Sequence, residues 1–204
     1  MCVTEIKKVG KYKYQVFLDG EFAFWLSFRE LRFWKIAEGG ELSEACYAKI
    51  MKETVLEKCK RKAIEYLKYA DRTEAELRDR LSRQFYVESV IDDTITYLRY
   101  YGYLDDTRCI RNFIEKNKNN HSKRWIESKL KQKGVTRDQC DSLWGEEYSE
   151  EEPARKLLEK KLKGKIITEK KEKDKALGYL YRQGFSSAVV WKVWNAYVSE
   201  HESF

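Results

Sequence analysis

Thr73-Glu-Ala-Glu-Leu-Arg-Asp-Arg-Leu81, Ser122-Lys-Arg-Trp-Ile-Glu-Ser-Lys-Leu130 and Glu172-Lys-Asp-Lys-Ala-Leu-Gly-Tyr-Leu180 read as three versions of one stretch. Their closing leucines lie 49 and then 50 residues apart. Each is followed by a polar trio and a helix-ending pair: Phe85-Tyr86, Gly134-Val135 and Gly184-Phe185. A fixed period of this size marks a supersecondary unit copied in tandem. The expected fold is mainly α: three tandem three-helix units in an elongated array, preceded by a small antiparallel β meander. Such an array offers a long contact surface rather than a deep pocket, which suits a polymer or filament better than a small molecule.

Capping signals phase the helices. Thr73 with Glu76, Thr136 with Gln139 and Ser149 with Glu152 have capping-box spacing, and Pro153 is tolerable in a first turn whose N–H groups lack intrahelical partners. Ser43 is placed to cap a long helix running to about Ala70, whose second half, from Glu57 to Tyr69, supplies the first helix of the first unit. Apolar residues recur at helical spacing through Val87, Val90, Ile91, Ile95 and Leu98, through Ile110, Phe113 and Ile114, and through Val189, Val190, Val193, Trp194 and Tyr197. Residues 1 to 26 differ: β-branched and aromatic runs flank Asp19-Gly20, a strong hairpin signal. Ser27 with Glu30 then opens a short helix to about Trp34, and Gly39-Gly40 breaks the chain. The expected division is 1–42, 43–102, 103–147 and 148–204.

The 204 residues carry 41 basic and 34 acidic side chains, a formal charge of +7, which biases the surface towards polyanions or an acidic protein groove. Charge is unevenly spread. Arg155 to Lys175 holds ten basic against four acidic residues, whereas Asp141 to Glu152 holds six acidic and no basic one. The five cysteines are scattered and never in Cys-x-x-Cys spacing, as expected of reduced cytoplasmic thiols rather than disulfides or a zinc site. No apolar run approaches a membrane span, and the N-terminus lacks a secretory signal.

Enzymatic chemistry finds little support. His121 and His201 are the only histidines, and neither sits in a ligand or nucleophile pattern. Gly39-Gly40 lacks the spacing of a phosphate loop, and no cofactor is implied. Asp105-Asp106 reads as an N-cap and its neighbour rather than a metal pair, because adjacent side chains on a helix diverge. The cations are more informative. Arg72, Arg78, Arg80 and Arg83 surround the middle helix of the first unit; Lys123, Arg124, Lys129, Lys131 and Lys133 that of the second; Lys170, Lys171, Lys173, Lys175 and Arg182 that of the third. Stacked units would align three cationic patches along a repeating anionic ligand. Trp191 and Trp194 are expected in the core beside Val190 and Val193, whereas Trp125, among charges, is the tryptophan with the best claim to exposure as a stacking platform.

Ala63-Ile-Glu-Tyr-Leu67, Arg72-Thr-Glu-Ala-Glu-Leu77, Gly102-Tyr-Leu-Asp-Asp106 and Ile126-Glu-Ser-Lys-Leu-Lys-Gln-Lys-Gly134 together resemble the RecX family, bacterial modulators of the RecA recombinase, over residues 57 to 197. The resemblance implies a curved, elongated monomer that lodges in the groove of a RecA–DNA filament, alters filament stability, ATP turnover and strand exchange, and touches the DNA within. The third unit departs from the pattern, with Ala176 where Leu77 and Ile126 stand and a basic connection from Lys163 to Lys173. Two other readings stay open: an autonomous single- or double-stranded DNA binder using helix-turn-helix-like modules, and a structural adaptor whose lysines serve only solubility.

Overall fold

The computed structural model describes residues 1–145, 148–165, 167 and 169–201. Glu146 and Glu147 of the acidic stretch, and Ile166 and Thr168 of the basic connection, lie outside the described residues. The chain divides into two units, residues 1–105 and the described residues from 106 onward.

The first unit opens with the meander β1 (Val3–Lys8), β2 (Tyr14–Leu18) and β3 (Glu21–Leu26), antiparallel in that order. Asp19 and Gly20 both take left-handed backbone, φ +49° and +91°, as a two-residue turn between right-twisted strands requires. Alternation then buries Val16, Leu18, Phe24 and Leu26 on one face, with Val16 opposite Phe24. The Ser27 hydroxyl accepts from the Glu30 N–H, and the Glu30 carboxylate accepts from the Ser27 N–H at 2.6 Å, which starts α1 (Phe28–Phe33).

The long helix expected after Ser43 forms, but not as uninterrupted α-helix: α2 (Glu44–Lys49) passes through a π-helical segment, Ile50–Leu56, into α3 (Glu57–Tyr69). The buried positions explain the interruption. Ile50 and Val55 are five apart, whereas Val55, Cys59 and Ala63 follow at fours. In an α-helix of about 3.6 residues per turn a five-residue step carries the side chain off the apolar face; the wider π turn absorbs the extra residue and keeps the stripe aligned. With α4 (Glu74–Ser82) and α5 (Glu88–Tyr100) the bundle closes, and a single apolar core runs from Val3 to Leu104, so the sheet and the first bundle share it.

The second unit holds α6 (Asp106–Asn117), α7 (Lys123–Gln132) and α8 (Arg137–Asp141), followed by α9 (Glu151–Leu162), α10 (Lys170–Arg182) and α11 (Ser187–His201). It has two separate apolar clusters, one around Ile110, Ile114, Ile126 and Leu130, the other around Leu158, Leu180, Val190 and Trp194. Ala176 is buried like Leu77 and Ile126, so the smaller residue still points into the core, with Leu177 buried beside it. Thr73 and Thr136 form their capping boxes. Ser149 does not: α9 begins at Glu151 with Glu150 at its N-cap, and the Ser149 hydroxyl accepts instead from the Glu151 N–H. Glu150 is drawn elsewhere, its carboxylate accepting from the backbone N–H of Lys123 at 2.7 Å.

The threefold echo has one physical form. After Leu81, Leu130 and Leu180 the chain turns left-handed at Phe85, Gly134 and Gly184, with φ +66°, +80° and +94°. The next N–H, from Tyr86, Val135 or Phe185, donates back to the carbonyl of that leucine. This is the Schellman closure, and both apolar residues it joins are buried in all three copies. Phe85 is the misfit, since a bulky side chain in left-handed backbone is strained by about 1–2 kcal/mol.

Replacing Leu81, fully buried, by Asp should unfold the first unit, because an unpaired charge in that core costs several kcal/mol. Thermal melting followed by circular dichroism checks it, and an unmoved midpoint would remove Leu81 from the core. The converse holds for Phe85→Gly: Phe85 is 41% exposed, so relief of backbone strain should outweigh lost contacts and raise stability by about 0.5–1 kcal/mol in urea denaturation.

Candidate polyanion interface

The three sets of candidate cations lie on or beside α4, α7 and α10, the corresponding helices of the repeat, at positions that differ from copy to copy, and their electrostatic surroundings differ as well. In the first set Arg78 lies 2.7 Å from the carboxylates of each of Glu74, Glu88 and Asp92, and so straps α4 to α5. The hydrogen bond to Glu74, ahead of that to Asp92, raises its pKa. Arg83 pairs with Asp79 at 3.0 Å, and Arg80 lies over the Tyr66 ring at 5.5 Å. Arg72 is half-buried, its Nε enclosed and without a hydrogen-bond partner.

The second set is held mainly by aromatic rings. Lys123 sits 5.2 Å from the Trp144 ring and 3.8 Å from Glu127, Lys129 lies over Trp125, and Lys133 over Phe113, both at 5.8 Å. Arg124 and Lys131 are exposed and rim an open groove of about 680 Å³ whose floor includes Leu130, Val135 and Cys140. Ser122 ties this helix to the next bundle. Its buried hydroxyl caps α7 by accepting from the Trp125 N–H and donates at 2.6 Å to the carbonyl of Gln183, at the end of α10. A side chain at Gly184 would meet Ser122 Oγ at 2.8 Å and Arg124 Cβ at 3.4 Å, so only glycine permits the approach that brings Arg124 beside the turn following Arg182.

The third set is open. Among the described residues, none of Lys170, Lys171, Lys173, Lys175 and Arg182 forms an ion pair, and neither do Lys160, Lys161, Lys163 and Lys165 at the end of α9 and just past it. Those last four were visible in the sequence only as a local charge excess. They join the candidate site because Lys163 turns left-handed at φ +53° where α9 stops, and all four lysines are exposed. At the end of the acidic stretch, Glu151 pairs with Lys192 at 2.6 Å and Glu152 with Lys156 at 3.5 Å.

Two tryptophans depart from expectation. Trp191 is 42% exposed, not core, because Val190, Val193, Trp194 and Tyr197 already fill the inward face of α11 and Trp191 lies off that stripe. Trp125 is half-buried, covered by the His121 ring stacked on it at 3.7 Å and 9°. Sequence reasoning also missed Trp25, which lies 3.4 Å from Lys58 Nζ and 4.5 Å from Lys13 Nζ. Burial lowers the pKa of both lysines, outweighing the Glu30 ion pair that favours charged Lys58, and for Lys13 the nearby Lys62 adds to it. That cage joins the meander to α3 and is read as structural.

Family models for the first and third three-helix domains of RecX match residues 59–98 and 149–194. The chain is 32% identical over 207 residues to the regulatory protein RecX of Lactobacillus delbrueckii, covering 97% of this chain and 74% of that protein. The chain belongs to the RecX family. The RecX of Clostridium beijerinckii is 27% identical, with 95% of this chain and 93% of that one covered. A crystal structure of regulatory protein RecX shares the fold, with a TM-score of 0.65 and 24% identity over 96% of this chain and the whole of that chain. RecX-family membership makes this a regulatory protein. Among the described residues of this RecX chain no helix is long and apolar enough to cross a membrane, and no cluster of His, Cys, Asp and Glu could hold a metal ion. None of the five cysteines is in a disulfide, and burial pushes the Cys59 thiol up to about 11.

Burial lowers the pKa of His121. The unfolded chain therefore takes up this proton more readily than the folded one. The neutral imidazole's contribution is complete above the unfolded value near about 6.5 and is lost as pH falls through it towards the lower folded value. His121→Phe, which keeps a ring on Trp125, should accordingly lose less stability than the parent between neutral and mildly acidic pH; melting curves of the two across that range decide it.

Proposed function

We propose that this chain is a non-enzymatic regulator of homologous recombination that binds along the RecA–DNA filament and modulates its ATPase and strand-exchange activities. The observation that carries the reading is the tandem repetition of one closed bundle, each copy with cations on or beside its middle helix, in a chain of the RecX family. A filament repeats its anionic groups, and a ligand lying lengthwise sums many weak contacts. Each exposed charge pair contributes about 0.2–1 kcal/mol, so useful affinity requires several bundles to engage together. In this reading the chain acts as a cytoplasmic monomer with segments 1–42, 43–102, 103–147 and 148–204. Arg80, Arg83, Arg124, Lys131 and the α10 lysines are its principal contacts.

A second reading, direct DNA binding without RecA, is favoured by one observation, the absence of ion pairs among the α10 cations of the described residues. It predicts binding to bare DNA with a steep salt dependence, whereas the filament reading predicts that physiological salt leaves little binding once RecA is removed. Added at stoichiometric amounts to RecA on DNA, the protein should change both ATP turnover and strand exchange. No change in either would reject the filament reading.

A further inference from the structure

We propose that the α10–α11 face binds single-stranded nucleic acid, Trp191 stacking on an unpaired base while Lys170 and Lys173 hold the neighbouring phosphates. The inference rests on the polyanion reading above and narrows it to one face and one form of the polymer.

Trp191 is the starting point. The apolar core of the third bundle is complete without it: Val190, Val193, Trp194 and Tyr197 are each at most 5% exposed, whereas Trp191 leaves 42% of its surface in water. Its indole is not isolated. Lys173 Nζ stands 4.9 Å from the Trp191 ring and 5.6 Å from that of Trp194, so α10 presents a cation directly beside an exposed aromatic face. Lys170 lies three residues before Lys173, on the same side of α10.

The charges on this face are also placed at a cost to the fold. Lys170, Lys171 and Lys173 occupy the start of α10, where the helix macrodipole favours anions, and N-cap Glu169 makes no side-chain capping bond. Glu172 and Asp174 are interleaved with them, yet neither draws a lysine into an ion pair. In the first bundle, by contrast, Arg78 meets three carboxylates and Arg83 pairs with Asp79. Cations that oppose the dipole, form no ion pair among the described residues and flank an exposed indole match the arrangement that binds single strands, in which rings take the bases and a basic surface tracks the backbone. Duplex DNA offers phosphates but no free base face, so only a single strand uses both halves of this surface.

The test is binding of a labelled oligothymidylate to the full chain without RecA, alongside a duplex of equal length. One stacked base contributes about 1–3 kcal/mol, so Trp191→Ala should weaken oligothymidylate binding by roughly 5- to 150-fold. It should leave duplex affinity unchanged, and Trp191→Phe should retain most single-strand binding. Joint replacement of Lys170 and Lys173 by Gln should weaken both ligands and flatten the salt dependence. A parent chain that ignores oligothymidylate, a Trp191→Ala chain that binds it undiminished, or equal losses on duplex would overturn the proposal. That last pattern would indicate a disturbed fold or a purely ionic contact. The two readings fail separately. Loss of oligothymidylate binding in Trp191→Ala, in a protein that leaves RecA unaffected, removes only the filament reading; altered RecA activity with Trp191-independent binding removes only this one.

Discussion

A backbone hydrogen bond running from the residue after a left-handed turn to a buried leucine carbonyl closes the middle helix of every bundle. It satisfies a carbonyl that the helix end would otherwise leave without a partner, and it drives an apolar side chain back under the leucine. Tyr86, Val135 and Phe185 are placed this way, and each starts the path into the bundle's last helix. In α4, α7 and α10 alike, the closure sets where the helix stops, and thus which of its side chains face solvent. The surface cations owe their places to it.

Three copies of one unit have not kept one electrostatic character. In the first, carboxylates on α4 and α5 turn Arg78 into a structural strap. In the second, aromatic rings hold lysines close to the surface they cover. In the third, among the described residues, the cations of α10 and the end of α9 form no ion pair, although Lys161 and Lys173 lie beside aromatic rings. Coulomb attraction between near neighbours is strongest where water is excluded, so an arginine among three carboxylates adds little field outside the protein, whereas an unpaired lysine projects all of its charge.

Ser122 shows how closely neighbouring bundles are joined in the second unit. One buried hydroxyl caps α7 and donates to the end of α10, and a glycine at 184 is needed for the two chains to come so near. Its counterpart in the first bundle, Thr73, is likewise buried and begins α4 with a full capping box. In the third copy, Glu172 stands at the corresponding position, inside a helix that has been extended towards its N-terminus.

Local chemistry made much of this legible in the sequence. The caps at Ser27, Ser43, Thr73 and Thr136, the Asp19-Gly20 hairpin, the helix-ending pairs and the leucine period depend on residues a few positions apart, so each carries its own signal. Trp191, the π turn at Ile50–Leu56, the unused capping box at Ser149 and the strapping of Arg78 do not. Trp191 shares its apolar character with Trp194 in the sequence, and packing alone assigns one to the core and the other to water. Whether a lysine is free or paired likewise depends on carboxylates brought near by other helices, as Glu88 and Asp92 are brought to Arg78. The sequence by itself determined where helices begin and end and how often the unit recurs, because those are short-range questions of capping and backbone conformation. The tertiary structure alone decided which copy keeps its charge available, because ionic and aromatic contacts between helices are distances in space that no spacing along the chain encodes.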